Sequence, residues 1–391
     1  MAPRLALPTG WTLSCVLIAL LAGPASCGPS QPPDVPPPTG DGQPTAQPPV
    51  TGPAGATTGP AEPSAAATPA PEPPPKLNVV TIFIDAMRAD MPWAGYPRDI
   101  APNLTALEKE SVSYTRAYAL SSYTAMSNGG FLAGRYPGEL KRSGYFFSAH
   151  PDDELFFPEL LQQAGVRTLA AHAHFYFEKK AGFHQGFDDY RMVPDLDANN
   201  TTDKNVTSPQ HVALAQAMLS EKANTGGQFF AWFHFMDPHD RYVTHEGFTK
   251  WGTGQRDRYD GEIAFTDHHV AKLLAFIDSQ PWGSRTVIIV TGDHGEAFGE
   301  HKRTRHGFEL WEPLVRVPLF FKIPGVAPRR IHTPRNHIDL APTILDLMGV
   351  DLHPDFQGKS LVAEMRASRS PSSGRSSSIF PAPATTSAAA P

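Results

Sequence analysis

The chain has 391 residues, with 33 lysines and arginines against 39 aspartates and glutamates, a formal net charge of −6. Such mild acidity gives no electrostatic reason for a nucleic-acid partner. The only two cysteines, Cys15 and Cys27, both precede the segment able to fold, which excludes disulfides, a cysteine-ligated zinc and a cysteine nucleophile from a mature domain.

The amino end carries Arg4, an apolar run over 13–23 and the small residues Ala25-Ser26 before Cys27. The run is too short to span a bilayer and predicts a secretory signal. With Cys27 and a long polar segment after it, the pattern resembles a bacterial lipoprotein signal, which implies a lipid on Cys27 and a membrane tether. A cleaved secretory peptide or an uncleaved anchor is the alternative, and each of these places the domain outside the cytoplasm. Residues 28–75 hold 17 of the 41 prolines and no aromatic, lysine or arginine. That composition buries too little apolar surface to offset the entropy of ordering and predicts a disordered, polyproline-like linker. The expected organisation is a signal over 1–27, the linker over 28–75, a folded domain over 76–365 and a low-complexity Ser/Ala/Pro tail over 366–391.

Within the domain, 77–84 (LNVVTIFI) is a β-branched run with the pattern of a strand buried on both faces, and it ends at Asp85. A helix is expected over 102–110, with Pro102 in its first turn. Next come a helix over 157–164, a strand over 166–171, a helix over 211–222 and the apolar strand 229–235. Helical spacing covers 263–277, and 286–291 (TVIIVT) repeats the first strand and ends beside Asp293-His294. A strand over 319–322 and a helix over 340–348 complete the series. The alternation predicts an α/β fold with a mostly parallel central sheet flanked by helices.

Asp85 and Asp293-His294 therefore leave strand ends at what should be one edge of the sheet, where such folds bind ligands. Two carboxylates and one imidazole suit a divalent cation able to polarise an anionic ester. Taken singly, an aspartate after a strand is as often a helix cap. Between them runs 121–137 (SSYTAMSNGGFLAGRYP), where a hydroxyl at a helix start would sit near unsatisfied backbone N–H groups that favour an anion. His239, held by Pro238, and His306 are placed to donate to an oxyanion or protonate a leaving oxygen.

Across 76–361 these stretches resemble the sulfatase family of the alkaline-phosphatase superfamily. The resemblance rests on NVVTIFIDAMRAD (78–90), LAGRYP (132–137), FMDPH (235–239), YDGEI (259–263), TGDHGEAFGEH (291–301), RVP (316–318), IDLAPTILDL (338–347) and FQGKSL (356–361). It implies one divalent metal ion (Ca, Mn, Mg or Zn) held by Asp85, Asp293 and His294, with Thr124 completing the coordination and acting as nucleophile. It also implies that His239 and His306 contact the transferring group or the leaving oxygen. The chain departs from the family at three places. Thr124 stands where sulfatases carry the Cys or Ser matured to formylglycine, with Met126 and Asn128 where they carry Pro and Arg; Ala86 replaces a further metal-binding Asp; and His306 replaces a sulfate-contacting Lys. Asp237 could instead begin a second metal site, the single-metal reading being the simpler because no His stands four residues later. Lys302 is near enough to help neutralise an anion, the simpler reading being a solvated lysine.

The activity so implied is extracytoplasmic, metal-dependent cleavage of a sulfate or phosphate ester through a covalent Thr124 intermediate, on a small-molecule, glycan or lipid ester. Alternatives are a phosphoethanolamine- or phosphoglycerol-type transferase and a non-catalytic tethered binding protein. A sulfothreonine lacks the easy breakdown of an aldehyde hydrate, so a threonine nucleophile favours phosphoryl chemistry.

Overall fold

The computed structural model describes residues 76–144, 146–196 and 206–367. The signal, Cys27, the proline-rich linker and the tail beyond residue 367 lie outside the described residues. No helix among the described residues is long and apolar enough to cross a membrane.

The uncharged β-branched run forms strand β1 (Asn78–Ile84), in which every residue is buried. Both of its faces are covered, because Val79 and Phe83 enter one apolar cluster while Val80, Ile82 and Ile84 enter another. Seven further strands join it: β2 (Val112–Tyr114), β3 (Arg167–His172), β4 (Asp189–Met192), β5 (Phe229–Phe235), β6 (Thr286–Gly292), β7 (Leu319–Lys322) and β8 (Arg329–Ile331). Their order across the sheet is β8-β2-β7-β6-β1-β5-β3-β4. Strand β7 alone runs against the rest, pairing antiparallel with β6 and β2. All the other pairings are parallel.

Helices α1 (Pro102–Lys109), α4 (Ser208–Ser220) and α5 (Gln255–Ser279) cover one face, and α2 (Thr124–Ala133), α3 (Phe157–Gln163) and α6 (Leu340–Met348) cover the other. The α/β architecture read from the sequence is therefore the observed one. Helix α5 starts two turns before its expected limit. Residues 255–262 are mostly polar, so their helical spacing is weak, but Tyr259 and Ile263 are buried against the sheet. The short strands β2, β4 and β8 carried no run long enough to announce them.

Two carboxylates from elsewhere in the chain cap helix starts. Asp267 accepts from the backbone N–H groups of Asn103 and Leu104 at the start of α1. Asp237 accepts from Thr207 N, Thr207 Oγ1 and Ser208 N at 2.6, 2.7 and 2.7 Å at the start of α4. This corrects the reading of Asp237 as the beginning of a second metal site, since both of its oxygens are already used to satisfy orphan N–H donors. Replacing Asp237 with Ala is expected to cost about 2 kcal/mol of stability in urea titration. The bound-metal content should stay at the wild-type value, and a loss of metal would contradict the capping assignment.

Several buried histidines carry a second consequence. His172 stacks on Phe177, His211 on Phe235, and His150 lies between Phe156 and Phe183. Burial lowers His150 to about 4 and His211 to about 3, and it holds His172 well below its ordinary value. In the unfolded chain each would take up a proton near pH 6.5, so below that pH the unfolded state binds more protons and stability falls. At pH 5 the loss is roughly 2 kcal/mol for each histidine that stays neutral when folded. The unfolding midpoint should therefore drop steadily between pH 6.5 and pH 5, and a flat profile there would contradict this account.

Candidate active site

Parallel pairing sets the level at which the chain leaves the central strands. Ile84 of β1 is in register with Gly292 of β6 on one side and Phe235 of β5 on the other. Asp85 and Asp293 are thus the first residues beyond paired ends. The Asp85 N–H still bonds the Phe235 carbonyl at 2.9 Å. Gly292 is needed here, because a Cβ would lie 2.5 Å from the Met87 carbonyl oxygen. Its absence lets the turn after β1 close over the end of β6.

Helix α2 brings in the third component. Phe131 packs on Phe83 at 4.7 Å between ring centroids, anchoring the helix to β1. Its far end is closed by Gly134 in the left-handed region (φ 58°), with its N–H on the Gly130 and Phe131 carbonyls. The N-terminus points at the strand ends, so Thr124 is the first helical residue. Its side chain does not cap its own helix. The hydroxyl instead donates to Asp85 Oδ2 at 3.1 Å and lies 3.1 Å from His294 Nε2. Asp85, Thr124, Asp293 and His294 are all fully buried.

The second layer fixes the orientations. The Nδ1 atom of His294 bonds the Gly295 carbonyl at 2.9 Å, which puts the proton on Nδ1 and turns the Nε2 lone pair toward Thr124. Burial lowers this imidazole to about 4, so it is neutral. Asp293 Oδ1 accepts from the Ala86 and His294 N–H groups at 3.2 and 2.9 Å, and Oδ2 accepts from Asn128 Nδ2 and His234 Nε2, both at 3.1 Å. Burial pushes the Asp293 carboxyl up, but the neighbouring imidazoles and the Ala86 N–H outweigh it and hold the carboxyl well below the usual range. Ala86, which stands where the family has a further aspartate, contributes its backbone instead. The turn it sits in is held by the Tyr259 hydroxyl, which donates to Ala86 O and accepts from Arg88 N.

A third layer contains the two histidines. His306 lies 4.3 Å from His294 and 5.3 Å from His239, measured between ring centroids. Its Nδ1 is 3.2 Å from both oxygens of buried Glu296, whose Oε2 also accepts from the Tyr242 hydroxyl at 2.7 Å. Burial opposes protonation of His306, but Glu296 outweighs it and raises the imidazole above its ordinary value. His239 bonds the Asp240 carbonyl through Nδ1 at 2.9 Å, and burial lowers it to about 3, so it is neutral. Glu296 therefore favours the protonated form of His306, and neighbouring His239 presents an open lone pair.

The structure thus brings Asp85, Thr124, Asp293 and His294 into one cluster, with His306 and His239 beside it. Lys302 is exposed. Asp85, Asp293 and His294 offer ligand atoms that all lie within 4.8 Å of one another. Two carboxylates and a neutral imidazole lone pair beside a hydroxyl are a donor set that fits a divalent cation. Sequence reasoning gave no role to His234, Glu296 or Tyr242, and it noted Asn128 only as a departure. Glu296 stood inside a quoted motif. His234 is in register with Phe83, so the strand pairing is the signal that finds it.

Comparison with known proteins follows the same lines. The Sulfatase family model matches residues 77–350. An ulvan-active sulfatase of Formosa agariphila is 26% identical over 334 residues, which are 74% of this chain and 65% of that protein. The chain thus spans just under two thirds of that relative. A choline-sulfatase of Rhizobium meliloti is 23% identical over 371 residues, 73% of this chain and 71% of its own. Among solved structures, Ps i-CgsB in complex with k-i-k-neocarrahexaose superposes with a TM-score of 0.61 at 20% identity, covering 74% of this chain and 76% of that one. The phosphonate monoester hydrolase SpPMH from Silicibacter pomeroyi gives 0.60 at 20% identity, over 77% and 78%. Those two superpositions show the fold, and the match to the family model over most of the folded part leads to one conclusion. The chain belongs to the sulfatase family.

Proposed function

We propose that the protein hydrolyses a sulfate or phosphate monoester by a two-step displacement in which Thr124 is the nucleophile. One observation carries this reading: Thr124 Oγ1 lies 3.1 Å from both Asp85 Oδ2 and His294 Nε2 at a helix N-terminus. These contacts tie the hydroxyl to the acidic and imidazole groups of the strand ends, while the N-cap position of the helix is Tyr123. Asp85, Asp293, His294 and Thr124 would hold the divalent cation, which supplies Lewis-acid polarisation of the ester and a lower pKa for the hydroxyl.

The remaining work falls to the side chains. Thr124 Oγ1, its proton lost to water, attacks sulfur or phosphorus in line with the departing alcohol oxygen. The N-terminal N–H groups of α2 favour the anionic group brought to them. His306, protonated beside Glu296, gives its proton to the leaving oxygen as that bond breaks. Water then attacks sulfur or phosphorus as its proton passes to neutral His239, the bond to Thr124 Oγ1 breaks, Oγ1 regains a proton from water, and the free oxyanion is released. Within this reading, Thr124 in place of a formylglycine precursor favours phosphate over sulfate, because a threonine ester must be cleared by an assisted water. A transferase would differ only in the acceptor that replaces that water. We also place the protein outside the cytoplasm on a lipid tether, a reading supported by Arg4, the apolar run 13–23 and Cys27.

Turnover of 4-methylumbelliferyl phosphate and sulfate by wild type, Thr124→Ala and His294→Ala, with metal analysis of the same samples, tests the chemistry. Both variants should lose at least about a thousandfold in kcat/KM. His294→Ala should also lose its divalent metal. Activity in Thr124→Ala within about twofold of wild type would overturn the nucleophile assignment. For the tether, membrane fractions should hold the wild-type protein, and Cys27→Ser should release it or block its processing. Unchanged membrane association of that variant would contradict the lipid anchor.

A further inference from the structure

Beside Thr124 a chain of aromatic and imidazole rings closes on itself. Tyr123, the residue before the nucleophile, meets Phe146 at 4.7 Å, and Phe146 meets Phe308 at 5.3 Å. In the other direction Tyr123 meets Tyr176 at 5.8 Å, Tyr176 meets His174 at 4.1 Å, and His174 meets His239 at 5.9 Å. His239 meets His306 at 5.3 Å, and Phe308 stands two residues after His306. Five separate segments converge here, each touching the catalytic cluster or the next ring.

The outer members are not packed away. Phe308 is 75% exposed and Phe147 is 50% exposed, the latter stacked on Phe175 at 5.5 Å and 22°. Large phenyl rings left in water around a polar cluster mark a binding surface. Gly307 keeps the rings close, since a Cβ there would lie 3.3 Å from Phe146 Cε1. Charge decides what kind of molecule fits. The ring chain contains no lysine or arginine, and of the basic residues flanking Phe308, Arg303 is paired with Glu309 and Arg305 with Asp240, each at 2.6 Å, which leaves Lys302 as an exposed cation on that segment. Arg142 donates to the Pro137 and Gly144 carbonyls. A polyanionic glycan needs uncommitted cations for its further sulfates or carboxylates, and these rings offer it apolar faces instead.

We propose that this collar holds the alcohol half of the substrate, and that this half is a flat apolar ring, an aromatic or fused alicyclic alcohol, with Phe308 and Phe147 as specificity-determining residues. The inference rests on the ester-hydrolase reading above and narrows its substrate class. The test compares the full chain with the Phe147→Ala/Phe308→Ala variant. Both side chains are exposed, so the variant is expected to fold, and its unfolding midpoint checks this.

The measured quantity is the ratio of kcat/KM for a 4-methylumbelliferyl ester to that for the ethyl ester of the same acid. The ratio should fall at least about tenfold, mainly through KM on the aromatic ester. An unchanged ratio would overturn the proposal. So would a variant whose kinetics are unaltered but whose self-association is lost, because that assigns the rings to a second copy of the chain. If wild type turns over neither ester, the hydrolase reading fails separately. Fluorescence titration with 4-methylumbelliferone then decides the collar: about tenfold weaker binding by the variant supports it, and equal binding overturns it.

Discussion

Everything at this site depends on the register between two buried parallel strands. Because β1 and β6 pair residue for residue up to Ile84 and Gly292, the next residues on each, Asp85 and Asp293, emerge at one height. Two carboxylates in a fully buried cluster are costly to keep ionised. For Asp293 the cost is met by donors fixed by the same register: backbone N–H groups of the turns, His234 carried by β5, and Asn128 carried by α2, while Asp85 accepts from the Thr124 hydroxyl. A one-residue slip would send each aspartate to the opposite face of the sheet and dismantle the cluster.

The second determinant is the position of α2. A helix laid on the sheet by Phe131 and ended by Gly134 presents its first residue where the strand ends converge. Burial and the hydroxyl's two polar neighbours then give Thr124 an environment unlike that of a capping threonine. Around it the histidines divide their tasks by what their Nδ1 atoms touch. A carboxylate partner raises His306, whereas carbonyl partners and burial leave His294 and His239 neutral. Acidic and basic functions within a few ångströms are what a two-step displacement requires.

Much of this was legible before any coordinates. The runs that became β1, β5 and β6 are uncharged and β-branched or aromatic, and their burial on both faces follows from that pattern. The acidic and imidazole residues just past them could be placed on one edge from fold logic alone. The beginning of α5 and the strands β2, β4 and β8 were not legible, because their residues are short or polar and are held by tertiary contacts. The sheet-borne His234 was hidden for another reason, since its facing partner lies 59 residues away in sequence and only pairing reveals it. Asp237 shows the opposite error. It sits in a family motif beside a strand end, but three donors at the start of α4 claim it.

The account stands on the covalent chemistry of a single hydroxyl. Rapid-quench mass spectrometry of the protein during turnover of an aryl phosphate or sulfate measures it directly. The account predicts a transient phosphoryl or sulfuryl group on the peptide containing Thr124, formed and lost at the rate of product release. Steady turnover with that peptide unmodified throughout, or with the group on another residue, would contradict it.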